Sequence, residues 1–290
     1  MLLCAKIERT ENMSIEVDEV IKKEAISKWS QVPFSNRFMF RLVMENKEIC
    51  KRTLELLLGI EIAELDYIEG EKSFEAKLSS KGIRLDVYIK DIDGNVFDLE
   101  MQANNDDHDA LGKRTRYYQS IVDADSLKKG VAYASLPKSV ILFVCLYDPY
   151  GNDFVRYTFT NICHEDKTLE LNDMSSKVII NTLGNRTDFS PEVCNFLDYI
   201  NTGEVKDEFT KKIDAEVVVQ RSDEDKAVWY MTWDQEQMAA EARGEANGEA
   251  KINKLHAILI AQNRFDDLKR SVVDKAFQNK LIEELGVTAY

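Results

Sequence analysis

Histidine, proline, cysteine and glycine are all scarce in this chain. Its 290 residues include 3 histidines, 4 prolines, 5 cysteines and 12 glycines. They form no glycine-rich phosphate loop, no GxSxG nucleophile elbow, no HExxH motif and no zinc-finger spacing. The sequence therefore argues against kinase, serine-hydrolase and zinc-protease functions.

Cysteine spacing and the length of hydrophobic runs indicate the cellular location of the protein. The cysteines form an odd set without a CxxC pair, which favours reduced thiols over disulfides or a zinc site. No apolar run reaches the roughly 18 residues of a membrane helix. The apolar stretch at the N-terminus is also too short for a signal peptide. We therefore expect a soluble, cytoplasmic protein with no membrane partner.

Basic residues are fewer than acidic residues in this chain. The 38 lysines and arginines face 52 aspartates and glutamates, and the net charge of −14 argues against a general nucleic-acid coat. Any DNA contact must then be local. The best segment is 110–130, where five basic residues outnumber two aspartates: Lys113, Arg114, Arg116, Lys128 and Lys129. The alternative is an ordinary solvated helix face.

The most strongly patterned stretch is 82–102, GIRLDVYIKDIDGNVFDLEMQ. Apolar residues occupy the odd positions of 85–89 and of 97–101, and polar residues occupy most of the even positions. This alternation is typical of half-buried strands. The Asp93-Gly94 pair between the two alternating segments indicates a turn. We therefore predict an antiparallel hairpin.

The register of this hairpin determines where its carboxylates point. Both apolar sets can face one core only if odd positions pair with odd positions. A five-residue loop over 91–95 places Asp86 opposite Glu100, whereas a three-residue loop over 93–95 places Asp86 opposite Gln102. In either register Asp86, Glu100 and Gln102 share a face, with the two carboxylates roughly 5–8 Å apart at Cβ.

Two carboxylates at this separation repel each other unless positive charge lies between them. Mg²⁺ is the natural partner, because it binds through one or two carboxylates and keeps water or substrate phosphate in its other positions. The alternative is that Asp86 and Glu100 lie on the solvated face of an amphipathic hairpin.

Five further segments outside the two hairpin strands have sequences that can be compared with known families. They are SNRFMFRLVMEN (35–46), KRTRYYQSIVDADSLKKGVAY (113–133), VILFVCLYDPYG (140–151), YTFTNIC (157–163) and LNDMSSKVIINTLG (171–184). Together with the hairpin they resemble the PD-(D/E)xK nuclease superfamily, and within it the Rpn-like recombination-promoting nuclease and transposase family. The resemblance implies a restriction-endonuclease-like α/β fold, a mixed β-sheet core flanked by helices. It also implies an endonuclease that cuts DNA with Mg²⁺, or with Mn²⁺ in its place.

The resemblance assigns roles to particular residues. Asp86, Glu100 and the main-chain carbonyl of Met101 would bind the metal. Glu45, in VMEN, corresponds to an acidic residue of the first core helix that approaches the metal; a surface glutamate is the alternative. Gln102 stands where the superfamily has a lysine that assists the attacking water, and the proline of the family's name is absent. Glutamine can orient water but carries no positive charge.

The segment after the hairpin supplies candidate DNA contacts. Arg116 has a planar guanidinium that suits a scissile or flanking phosphate, and Lys113 and Arg114 lie beside it in sequence. Tyr118 can stack on a base, although core packing is the commoner use of such an aromatic residue.

We predict three parts of the chain: an N-terminal extension (1–32), a nuclease-like domain (33–220) and a helical C-terminal tail (221–290). Residues 35–58 have the period of one helix that stops at Gly59. The tail contains a four-residue Glu-Ala-x-Gly repeat, which we interpret as a flexible, partly helical connector. The helix beyond the repeat is a candidate for pairing with a second copy of the chain.

The residues support two functional hypotheses. The first is Mg²⁺-dependent hydrolysis of DNA by a recombination-promoting nuclease or transposase-like enzyme. The second is a nuclease-like module that no longer cuts and instead binds protein or DNA through its acidic surface and its tail. The absent lysine and the net charge motivate the second hypothesis.

Overall fold

The computed structural model describes residues 19–20, 22–74, 83–104 and 110–288. The chain divides into two compact units, the first ending at Lys226 and the second beginning at Ala227. Residues 1–18 of the predicted N-terminal extension lie outside the described residues. The bounds of the three predicted parts stay predictions.

Within the described residues, a six-stranded mixed sheet forms the centre of the first unit. Its strands are β1 (Leu65–Phe74), β2 (Ile83–Asp91), β3 (Val96–Gln102), β4 (Ser139–Cys145), β5 (Arg156–Phe159) and β6 (Ser175–Asn181). Their order is β1-β2-β3-β4-β6-β5. The pairs β1–β2, β2–β3 and β5–β6 are antiparallel, and β3–β4 and β4–β6 are parallel. The predicted α/β class with a mixed sheet is confirmed.

Helices flank this sheet. They are α1 (22–29), α2 (Arg37–Met44), α3 (Lys47–Leu58), α4 (Leu111–Ser126), α5 (Pro191–Thr202) and α6 (Glu208–Arg221). Helix α4 packs on β4, where Leu111 and Val122 join Ile141 and Phe143 in one apolar cluster. Helix α2 contacts β1, β2 and β3. Because consecutive residues of β3 are buried from its start to Met101, neither face of that strand meets solvent.

The segment 35–58 forms two helices, so the prediction of a single helix was wrong. Asn46, between α2 and α3, accepts hydrogen bonds from two backbone N–H groups in the first turn of α3. An asparagine cap starts a new helix by satisfying its first donors, and the apolar period carries on across the break. The predicted stop at Gly59 is confirmed, because this residue ends α3 in the left-handed conformation at φ 69°.

Strands β2 and β3 form the predicted antiparallel hairpin, and they do so with the five-residue loop. Lys90 pairs with Val96, and the side chain of Asp91 accepts hydrogen bonds from two backbone N–H groups inside the loop. This Asp-centred turn sets the register of both strands. Continued along the hairpin, the register places Asp86 opposite Glu100.

The second unit is helical within the described residues. It contains most of α7 (Glu224–Ala261), followed by α8 (Phe265–Val273) and α9 (Lys275–Glu284), with Leu255, Leu259 and Leu281 at its core. The interpretation of the repeat as a partly helical connector was wrong, because α7 runs through it as one 38-residue helix. Two glycines at about 1 kcal/mol each are outweighed there by glutamate, alanine and arginine, which favour helix.

The described helices differ from membrane-spanning segments in length or in apolar character. In the part of the chain that the structure describes, none is both long enough and apolar enough to cross a lipid bilayer.

A close approach of two loops gives a test of the packing in the first unit. A Cβ atom on Gly184 would lie 2.6 Å from the backbone carbonyl carbon of Phe154. We expect Gly184→Ala to lower the free energy of unfolding by about 1–3 kcal/mol, because backbone cannot yield as a side-chain tip can. Gly112→Ala in α4, where the added methyl meets open space, is the control and should raise stability by up to about 1 kcal/mol. Urea unfolding measures both, and equal midpoints for Gly184→Ala and wild type would contradict the packing.

Candidate functional site

Asp86 of β2 and Glu100 of β3 are held together by hydrogen bonds that cross the hairpin. The backbone N–H of Asp86 donates to Oε1 of Glu100 over 2.7 Å, and the backbone N–H of Met101 donates to Oδ2 of Asp86 over 3.1 Å. Only 9% of the Asp86 side chain and 1% of the Glu100 side chain are exposed. The alternative of a solvated carboxylate face was therefore wrong.

Arg37, at the start of α2, makes a two-point contact with Asp86. Its Nη2 donates to Oδ1 over 2.6 Å, and its Nε donates to Oδ2 over 3.2 Å. The negative charge of Asp86 raises the pKa of the guanidinium. The sequence analysis missed this residue. The signal was a cation in the first turn of a helix, where the helix dipole disfavours it unless a carboxylate lies nearby.

Asp98 is a third carboxyl group that the sequence analysis did not select. It lies two residues before Glu100 in β3 and is completely buried. No donor among the described residues reaches either of its oxygens or Oε2 of Glu100. Asp98 and Glu100 lie two positions apart on the same face of β3, so their carboxyl groups are neighbours.

Burial and mutual repulsion set the protonation of this pair. Burial, followed by the charge of Glu100, raises the pKa of Asp98 well above its usual range. Burial, followed by the charge of Asp86, raises the pKa of Glu100 to about 8. Without a metal, the cluster therefore holds protons at neutral pH that exposed carboxylates would release.

Gln102 and Arg114 meet at the open end of the hairpin. Nη1 of Arg114, on α4, donates to Oε1 of Gln102 over 2.8 Å, and its Nη2 lies 3.9 Å from Oε2 of Glu100. The amide of Gln102 also donates to the backbone carbonyl of Asn104 over 2.6 Å. Arg114 thus brings a positive charge to the position where the sequence has glutamine.

The remaining predicted DNA contacts differ in exposure. Tyr118 packs against Phe143 with ring centroids 5.9 Å apart, and burial raises the pKa of its hydroxyl to about 12. This packing agrees with the core alternative for Tyr118. Lys113 and Arg116 are exposed on α4, three positions apart, and therefore lie within one helical turn.

Glu45 lies apart from the contact between Arg37 and Asp86. It follows the last residue of the eight-residue helix α2, whereas Arg37 is the first residue of that helix. The two ends are about 12 Å apart along the helix axis. A Cβ atom on Gly70 of β1 would lie 2.9 Å from Oε1 of Glu45, which places this carboxylate beside the edge strand. Its role as a metal ligand stays a prediction.

The chemistry of the donor set fits a hard divalent cation. Oε2 of Glu100 is buried without a hydrogen-bond donor in the described structure, and oxygen ligands are those that Mg²⁺ prefers. Among the residues described, no group of three or more His, Cys, Asp or Glu side chains has metal-binding geometry. Two carboxylates nevertheless suffice for Mg²⁺, which commonly keeps several waters.

Comparison with known proteins gave one finding. A family model described as PD-(D/E)XK nuclease family transposase matches residues 34–181, a span that includes α2, the hairpin and α4. A search of curated proteins and a search of solved structures gave no match.

The raised pKa of Glu100 predicts how stability depends on pH in metal-free protein. Between the ordinary glutamate pKa of 4.5 and about 8, the folded state binds more protons than the unfolded state. The free energy of unfolding should therefore fall as pH rises through this range, at up to about 1.4 kcal/mol per pH unit for each group involved. Glu100→Gln should flatten the slope.

Urea unfolding in EDTA from pH 5 to 8.5 measures this dependence. Glu61→Gln, at an exposed position before β1, is the control and should keep the wild-type slope. A Glu100→Gln protein with the same slope as wild type would show that these carboxyls do not carry the raised pKa.

Proposed function

Because the chain belongs to the PD-(D/E)XK nuclease family transposases, we propose that it is a metal-dependent DNA endonuclease. The observation that carries the proposal is the Asp86–Glu100 pair. Two strands bring these carboxylates together in a buried position, and one oxygen of Glu100 lacks a donor. Such a pair is costly for a fold to bury without a cation.

Asp86, Glu100 and the main-chain carbonyl of Met101 are the proposed ligands for Mg²⁺ or Mn²⁺, with Glu45 as a further candidate. When bound, the ion supplies Lewis acidity that lowers the pKa of water and offsets charge on the phosphate. Gln102 holds and orients the attacking water through its amide. The backbone N–H of Met101 keeps Asp86 aligned through its hydrogen bond to Oδ2.

Arg114 is proposed to supply the charge that a lysine at position 102 would provide. Its guanidinium is 2.8 Å from Gln102 and 3.9 Å from Glu100, so it faces the same reaction space. Aromatic rings support it, with the Phe143 centroid at 5.0 Å. A fixed cation in this position stabilises negative charge that develops on the phosphate.

DNA is the proposed substrate, approached along the exposed side of α4. Lys113 and Arg116 suit phosphate contacts, and Tyr118 lines the path to Arg114, with its hydroxyl 3.4 Å from Nη2. The net charge of −14 disfavours DNA contacts spread over the whole surface, so the proposed contact is local.

Location and assembly are further parts of the proposal. The four described cysteines are free thiols, which suits a reducing, cytoplasmic compartment. Trp229 and Met238 of α7 are 64% and 63% exposed, and such apolar residues on a long helix suit pairing with a second copy.

Two observations favour a second candidate, a nuclease-like binding module that does not cut. Arg37 already neutralises Asp86, and Gln102 replaces the usual lysine. In such a module the Arg37–Asp86 pair would be a permanent structural contact, and metal would not bind.

Cleavage of supercoiled plasmid in Mg²⁺ or Mn²⁺ tests the first function. We expect nicking or linearisation by the wild type, abolished by EDTA and reduced at least roughly 100-fold in Asp86→Ala and Glu100→Ala. Asp93→Ala, an exposed carboxylate in the turn of the same hairpin, is the matched control and should cut normally. Failure to cut supercoiled, linear and single-stranded DNA, with no metal affinity, would leave the binding module.

Second-site rescue tests the role of Arg114. Arg114→Gln should lower kcat by roughly 100-fold, because a preorganised cation is lost, and adding Gln102→Lys to that variant should restore part of kcat. Lys113→Gln, one residue away and exposed, should instead raise KM and reduce the salt dependence of DNA binding. Equal effects on kcat from Arg114→Gln and Lys113→Gln would refute a specific role for Arg114.

A further inference from the structure

Arg37 is the charged residue of the site to which the proposed function assigns no part. Its guanidinium donates to both oxygens of Asp86, and Oδ2 also accepts the backbone N–H of Met101. The Arg37 side chain is 37% exposed, against 9% for Asp86. A metal cation that arrives from solvent therefore finds Asp86 already bound to the guanidinium of Arg37.

Arg37 and a divalent cation cannot hold Asp86 in the same way at the same time. Both would use the lone pairs of Oδ1 and Oδ2, and like charges at this distance repel strongly in a site with little solvent. Metal binding therefore requires the guanidinium to leave at least one oxygen of Asp86.

The backbone of Arg37 is fixed while its side chain has room to move. Asn36 caps α2 by accepting hydrogen bonds from the N–H groups of Phe38 and Met39, and both of these residues are buried. Release of Asp86 therefore moves the long Arg37 side chain and leaves the helix in place. A guanidinium freed in this way is pre-positioned at the mouth of the site.

The chemistry of the guanidinium identifies its second partner. The planar fork that matches a carboxylate at two points matches a phosphate equally well. A DNA phosphate brought to the metal supplies that anion at the mouth of the site.

We propose that Arg37 exchanges partners: it holds Asp86 in the metal-free protein and binds a DNA phosphate when metal takes Asp86. The inference rests on the proposed nuclease function and adds a coupling between metal and DNA. Since each ligand favours the same position of Arg37, each strengthens binding of the other. Arg37 thereby keeps Asp86 paired until metal and DNA are both present.

Titration of Mn²⁺ into EDTA-treated, full-length protein by calorimetry tests the exchange. In Arg37→Met, Mn²⁺ should bind roughly fivefold tighter or more, because its competitor is gone. The same variant should bind a labelled DNA duplex roughly fivefold more weakly or worse in Ca²⁺, measured by fluorescence anisotropy. A purely structural ion pair would not tighten metal binding while weakening DNA binding.

Arg52→Met is the matched control. Arg52 makes the same two-point contact, through Nε and Nη2, with Glu192, and 42% of its side chain is exposed. Its loss should leave the affinities for Mn²⁺ and for DNA unchanged.

Arg37→Lys keeps the positive charge but not the planar fork, and it should give intermediate affinities for Mn²⁺ and DNA. If circular dichroism shows that Arg37→Met does not fold, the affinities of Arg37→Lys test the exchange in its place.

Two negative outcomes separate the inference from the function on which it rests. If Mn²⁺ binds the wild type through Asp86 and Arg37→Met binds it no more tightly, the exchange is overturned and the nuclease proposal stands. If wild type, Arg37→Met and Asp86→Ala all fail to bind Mn²⁺, both proposals are overturned.

Discussion

The site depends on balancing negative charge that the central strands bury. The carboxyl groups of Asp86, Asp98 and Glu100 lie close together and out of solvent. Two guanidinium groups approach them, Arg37 from α2 and Arg114 from α4. Because the loss of either guanidinium would leave a buried carboxylate without its counter-charge, the two helices and the hairpin are constrained together. The same charge contacts therefore define the site and hold the two helices against the hairpin.

Both guanidinium groups are carried by helices that pack against the sheet. Arg37 begins a helix that Asn36 caps and that buried aromatic residues hold against the sheet. Arg114 lies over the ring of Phe143, a residue of the central strand β4. Rigid elements on each side thus aim the charges at the carboxylates, as a site with defined geometry requires. Positive charge reaches the carboxylate cluster from helices, although the strand carries glutamine at position 102.

Electrostatics acts differently on the surface and in the site. An overall charge of −14 repels nucleic acid from most of the molecule. The exposed Lys113 and Arg116 of α4 lie on the same helix as Arg114, so local positive charge adjoins the site. Helix α4 therefore carries both exposed positive charge and one of the two guanidinium groups that approach the carboxylates.

The sequence alone determined the sheet class, the hairpin and the shared face of Asp86 and Glu100, because strand alternation and turn residues are local signals. It left two registers open, and the hydrogen bonds of Asp91 within the loop decided between them. The burial of Asp98 and the contact of Arg37 with Asp86 were decided by tertiary structure. The physical reason is distance along the chain: Arg37 and Asp86 are 49 positions apart, and only the docking of α2 on the sheet brings their charges together.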